Sequence, residues 1–130
     1  MHDKLSKLEK AIRFKFYDLK ILELSLTHKS YAVERGKNNF NERLEFLGDS
    51  VLSSVMADHL YHRYPNDDEG KLSRLKSQLV SRAALAEWAK ELNLGEYIFL
   101  SQGEENSGGR MRDSILGNAL EALLGAMYLD

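Results

Sequence analysis

Apolar residues recur along this chain at intervals of three and four, the spacing of helices that each bury one face. The pattern predicts a helix over residues 3–14 and a shorter one over about 19–26. The polar segment "VERGKNN" that follows reads as a loop. Asn41 is a favourable N-cap for a third helix running to about Tyr64, where Pro65 stops it and "PNDDEG" turns the chain. A fourth helix is expected from about Lys71 to Leu92. "SQGEENSGGR" reads as a flexible loop, and its glycines and acids form no phosphate-cradling pattern. Asp113 or Ser114 then caps a last helix, "SILGNALEALLGAMYLD". No alternating β-branched run is long enough for a sheet, and neither repeat nor low-complexity tract occurs, so the fold class expected is all-α. The last helix is still apolar at Asp130, which suggests a truncation or a helix whose partner is missing.

Composition narrows the picture further. A chain of 130 residues with 43% apolar and 29% charged positions suits a single soluble domain with a real core. The absence of cysteine excludes disulfides and thiolate metal sites and fits a reducing cytoplasm. "MHDKLSKLEK" lacks the apolar centre of a signal peptide, and no apolar run approaches a membrane span. Eighteen basic residues against 20 acidic ones leave a net charge of −2, so a nucleic-acid partner has to be sought in the arrangement of charge.

Chemistry concentrates in "NERLEFLGDS", residues 41–50. Glu42, Glu45 and Asp49 lie within about 60° of one another on a helix. Leu44, Leu47, Gly48, Val51, Leu52 and Val55 fall on the opposite, core-facing side. The acids form either a solvated face or a site for a hard cation such as Mg²⁺ or Mn²⁺, which prefers oxygen ligands on rigid backbone. Phe46 sits at the edge of this acidic side, and leaving it in water forfeits about 2–3 kcal/mol of burial. Another part of the chain, or a second copy across a two-fold axis, should cover it. On the last helix Asn118 and Glu121 share a face, either as a surface pair or as the second half of an oxygen-ligand set. Leu120, Leu123, Leu124 and Met127 serve packing there, while Gly117, Ala122, Gly125 and Ala126 permit close approach of neighbours. Lys71, Arg74 and Arg82, with Gln78, share a face of the expected fourth helix and are candidates for phosphate contacts. Arg110 and Arg112 could meet phosphates as well. His28 reads as a packing or hydrogen-bonding residue, and Trp88 and Tyr97 as core or interface.

Together these segments resemble the ribonuclease III endonuclease domain. "NERLEFLGDSVL" is similar to that family's most specific motif, "LTHKSY" to its early element, "YPNDDEGKLSRLKSQLVS" to its middle helix, and "GGRMRDSILGNALEALLGAMYLD" to its C-terminal motif. The resemblance covers nearly all of residues 5–130 in the right order. It implies a dimeric all-α helical bundle, with residues 1–130 forming one nuclease domain that cleaves double-stranded RNA with Mg²⁺, or Mn²⁺ as substitute. The expected products are 5′-phosphate and 3′-hydroxyl ends, in cytoplasmic RNA processing, including that of rRNA. Glu45, Asp49 and Glu121 match metal-binding carboxylates, with Asp49 and Glu121 implied as catalytic. Glu42 and Glu69 match auxiliary acids, and Phe46 matches an aromatic that enters a pocket of the partner subunit.

Two departures stand out. The family usually has aspartate where this chain has Asn118, a neutral oxygen donor. The resemblance therefore leaves open a weakened or inactive domain that binds double-stranded RNA or assembles without cutting. The chain also lacks the further helix and separate RNA-binding domain common in the family, so low and salt-dependent RNA affinity is expected.

Overall fold

Eight α-helices form in the computed structural model, which describes residues 2–130: α1 (His2–Ile12), α2 (Leu19–Ser25), α3 (Lys29–Glu34), α4 (Glu42–Arg63), α5 (Glu69–Leu79), α6 (Arg82–Glu91), α7 (Gln102–Asn106) and α8 (Asp113–Leu129). Two 3₁₀ turns, Leu94–Tyr97 and Gly109–Met111, precede α7 and α8. Among the described residues the extended backbone contributes one isolated parallel bridge, Thr27 to Phe99, and the class is all-α as expected.

α8 is the central element. Ten of its 17 residues are buried, because α4, α6 and α2 all pack on it. Its apolarity all round is thus the mark of an interior helix and needs no missing partner along most of its length. Ala119, Ala122 and Ala126 are fully buried, and Leu116 and Leu123 nearly so. Each such leucine contributes about 1.5–3 kcal/mol of burial. Gly117 lies against Leu85 and Ala86 of α6. Leu5 and Leu8 of α1, Phe16, Leu22, Leu26, Leu94 and Tyr97 complete the core, and Trp88 packs partly buried against it. The far end of α8 returns to the start of the chain, where the Asp130 carboxylate accepts from the backbone N–H groups of Tyr17 and Asp18 at 2.9 and 3.0 Å.

Several boundaries differ from the expectation for local reasons. "THKSY" leads into a short helix: Lys29–Tyr31 open α3, His28 sits at its N-cap and the His28 Nδ1 accepts from the Ser30 N–H at 3.1 Å. The expected fourth helix is two helices, α5 and α6, because Val80 ends the first and the Ser81 hydroxyl caps the second by accepting from the Ala84 N–H. "SQGEENSGGR" is not an open loop. Ser101 caps α7, and Arg110 is bonded to Glu105 and to the carbonyls of Gly95 and Ile98. Asp113 lies inside the first turn of α8, pairing with Lys90 at 3.1 Å, and the N-cap position belongs to Arg112 without a side-chain cap. Along α4, Leu44, Gly48 and Leu52 are buried as expected and the inward row continues through half-buried Met56 to Leu60, whereas Val55 lies off that row and is 61% exposed.

Candidate metal centre

The crossing of α4 and α8 is a backbone contact. A Cβ placed on Gly48 would overlap the carbonyl oxygen of Glu121 and sit 3.0 Å from the Gly125 nitrogen. Reciprocally, a Cβ on Gly125 would overlap the Leu44 carbonyl oxygen and lie 3.1 Å from the Gly48 nitrogen. A glycine in a helix interior costs about 1 kcal/mol relative to alanine, and here it allows the two main chains to touch. Glu45 and Asp49 flank Gly48 on α4, and Glu121 lies one turn before Gly125 on α8. The contact that joins the helices therefore also gathers the acids.

Electrostatics record how tightly. Glu121 is only 9% exposed, and its carboxyl is pushed up to about 8, first by burial, then by its hydrogen bond with Asp49 and the charges of Asp49 and Glu45. Glu45 is half-buried and is also raised, by burial and by Glu42 and Asp49. Glu45 and Glu121 thus share a spot with too little water and, with the exposed Asp49 beside them, too much like charge. Among the described residues no group of three or more Asp, Glu, His or Cys side chains is placed closely enough to hold a metal ion as it stands. The donor set is nevertheless all oxygen, as hard divalent cations require, and a 2+ charge would offset both the burial and the like charge that hold a proton on Glu121. By this test the residues fit such an ion.

The remaining candidates are distributed unevenly. Asn118 is half-buried on α8, one turn before Glu121 and on its face. Glu42 opens α4, exposed, within electrostatic reach of Glu45 and His28. Glu69 is not brought to the cluster within this subunit: it starts α5 and lines a groove with Leu60 and Tyr61, more than two turns along α4 from Asp49. His28 is lowered, chiefly by burial, which suits a neutral ring accepting a backbone hydrogen bond. Lys71 and Arg74 are exposed on α5, with Lys71 3.4 Å from Asp67. Arg82 opens α6, so the single helical face expected to carry all three basic residues does not exist. Arg110 and Arg112 are committed to Glu105 and Glu104, and the bond from Arg110 holds Glu105 below the usual carboxylate range.

Phe46 is 79% exposed. It forms part of the wall of a mainly apolar groove of about 770 Å³, lined also by Ile21, Leu24, Phe40, Leu47 and Leu129, with Glu42 and Arg43 at its polar side. Sequence reading missed the reciprocal seating of Gly48 and Gly125. The signal available was the pair of mid-helix glycines, one beside each acidic set.

Comparison with known proteins identifies the family and the fold. The family described as Ribonuclease-III-like matches residues 18–130. "Ribonuclease 3" of Aliivibrio fischeri is 52% identical over 130 residues, which is all of this chain and 56% of that protein. The chain therefore spans about half the length of the curated relatives it matches. The crystal structure of the nuclease domain of ribonuclease III from Campylobacter jejuni is 46% identical, with a TM-score of 0.89 over 95% of this chain and 82% of that one. A second structure of that domain, described for flexibility in its dimer-forming region, gives 0.90 at 46% identity, over 95% of this chain and 83% of that one.

Proposed function

The chain belongs to the ribonuclease III-like family, and from that premise we propose that it is the nuclease domain of a divalent-metal-dependent endoribonuclease acting on double-stranded RNA as a homodimer. The observation that carries this reading is the crowding of Glu45, Asp49 and Glu121 at the glycine crossing. Glu45, Asp49 and Glu121, with the Asn118 carbonyl, would hold Mg²⁺ or Mn²⁺. Such an ion, when bound, supplies an activated water and charge relief at the phosphate, so that hydrolysis leaves 5′-phosphate and 3′-hydroxyl ends. The protein's own contribution is preorganisation. Two rigid helices fix the carboxylates, so little reorganisation is needed at reaction. Glu121 must release its proton to become a ligand, which makes loading favour higher pH.

The dimer reading rests on Phe46 and the groove it helps to line. A two-fold axis would place each Phe46 in the groove of the other copy and cover both. The matching Campylobacter jejuni domain is described as dimer-forming. In such a dimer each subunit cuts one strand, leaving a short 3′ overhang. Lys71, Arg74 and Arg82 would contact phosphates, and Glu42 and Glu69 would assist the acidic site. Among the described residues no helix is long and apolar enough to cross a membrane; RNA processing in the cytoplasm is proposed from the family alone.

Asn118 favours a second reading, a domain that binds duplex RNA or assembles with weakened cutting. Cleavage of long duplex RNA in Mg²⁺, Mn²⁺ and EDTA separates the two. Metal-dependent products support the enzyme; duplex binding without products supports the second reading. Asn118→Asp should then restore cutting and tighten metal binding by about tenfold or more. No gain removes Asn118 as the cause.

A further inference from the structure

Asn41 stands at the N-cap of α4, yet its side chain makes no cap hydrogen bond. It is 5% exposed, and its Nδ2 donates to the Ser25 carbonyl at 3.1 Å. Its backbone N–H donates to the Thr27 carbonyl at 2.9 Å, and its own carbonyl accepts from the Glu45 N–H at 2.9 Å. One residue thus links the first turn of α4, which carries Glu42 and Glu45, to the segment 25–28.

That segment is itself anchored. Ser25 is fully buried, with its hydroxyl on the Leu22 carbonyl at 2.6 Å, and the Thr27 hydroxyl donates to the Glu23 carbonyl at 2.7 Å. On its other side the Phe99 N–H donates to the Leu26 carbonyl at 2.8 Å and the His28 N–H to the Phe99 carbonyl at 3.1 Å. α2, which ends at Ser25, packs on α8. The start of α4 is therefore referenced to α8 twice: through the glycine crossing, and through Asn41 and α2.

We propose that Asn41 is a positioning residue that sets the height of Glu45 along α4 relative to Glu121, and so tunes cation binding; this rests on the metal-dependent reading above. Capping and positioning make different demands. Aspartate and serine cap helices about as well as asparagine, so a capping residue would tolerate either. Positioning requires the amide donor. Asn41→Asp would set a carboxylate against the Ser25 carbonyl, and Asn41→Ser would leave that buried carbonyl short of a donor.

The test is calorimetric titration of Mn²⁺ into the whole chain, with metal-free thermal melts, for the parent, Asn41→Asp, Asn41→Ser and Leu5→Ala. Leu5 is a buried core residue on α1 and serves as a control for general destabilisation. Both Asn41 variants should weaken Mn²⁺ binding about tenfold, the loss typical of groups that orient metal ligands. Leu5→Ala should lower the melting temperature with Mn²⁺ affinity unchanged. Asn41→Ser, which adds no charge, carries the comparison if the aspartate variant melts below the assay temperature. Parent-like Mn²⁺ affinity in the Asn41 variants, or an equal loss in Leu5→Ala, overturns the inference alone. A parent that takes up no Mn²⁺ overturns it together with the metal reading.

Discussion

The α4–α8 crossing and helix α5 lie at opposite extremes of this molecule. At the crossing the main chains touch, ten residues of α8 are buried, and a carboxyl is trapped with a proton near pH 8. α5 has no buried residue; Leu79 is 37% exposed, and a bond from Lys76 to the Ser53 hydroxyl at 3.0 Å helps hold the helix on α4. The contrast follows the chemistry proposed for each. Metal ligands act through fixed geometry, so their helices are locked together. Phosphate-binding residues act through charge on long side chains and tolerate mobility.

A glycine from each region should break the comparison most visibly. Gly48→Ala drives a methyl into the Glu121 carbonyl and must part the helices, costing more than about 3 kcal/mol in denaturant unfolding and abolishing Mn²⁺ uptake. Gly70→Ala on α5 meets its nearest neighbours at 3.5 Å or more and should be neutral or stabilise by up to about 1 kcal/mol. Equal losses at the two positions would dissolve the distinction.

The pH dependence of the crossing comes next. Folded Glu121 retains its proton to about 8, whereas the unfolded chain releases it near the ordinary value of 4.5. Between these values the folded state binds more protons, so stability in EDTA should fall as pH rises through that window. Thermal melts at pH 5 and pH 8 measure it. Glu121→Gln should flatten the slope, and saturating Mn²⁺ should remove it in the parent. A parent slope of the opposite sign would contradict the crowded-acid description.

Phe46→Ala should convert a sedimenting dimer to a monomer with little change in subunit stability, because the ring is 79% exposed within one subunit. If variant and parent sediment alike, the dimer reading of Phe46 is wrong. The smallest effect belongs to α5. Lys71→Ala with Arg74→Ala should leave stability within about 0.5 kcal/mol while lowering the salt slope of duplex RNA binding by about one for each phosphate no longer neutralised.

Much of the architecture was legible because it repeats. Helical periodicity placed α1, α2, α4 and α8 to within a few residues, and Pro65 marked the end of α4. The misses fall where one side chain decides: Ser81 splitting α5 from α6, His28 starting α3, and Arg110 gathering the segment before α8. Such bonds leave no periodic trace. The acids of α4 and the Asn118–Glu121 pair were each legible as a group from spacing, and the likeness to a family's motifs implied that they belong to one site. Glu69 was legible as a letter match, yet within one subunit it stands apart from the cluster.

The sequence by itself determined that the chain is helical, that Glu42, Glu45 and Asp49 share a face, and that Asn118 and Glu121 share another. These follow from the fixed 3.6-residue turn, a local rule each segment obeys alone. Tertiary structure decided that the two faces meet, because only packing brings Gly48 onto Glu121 and Gly125 onto Leu44. It also decided that Asn41 faces the Ser25 carbonyl and that Arg110 and Arg112 are bound in ion pairs. The burial of Glu121 and Glu45, and the charges of Asp49 and Glu45 on Glu121, are properties of residues distant in the chain and close in space.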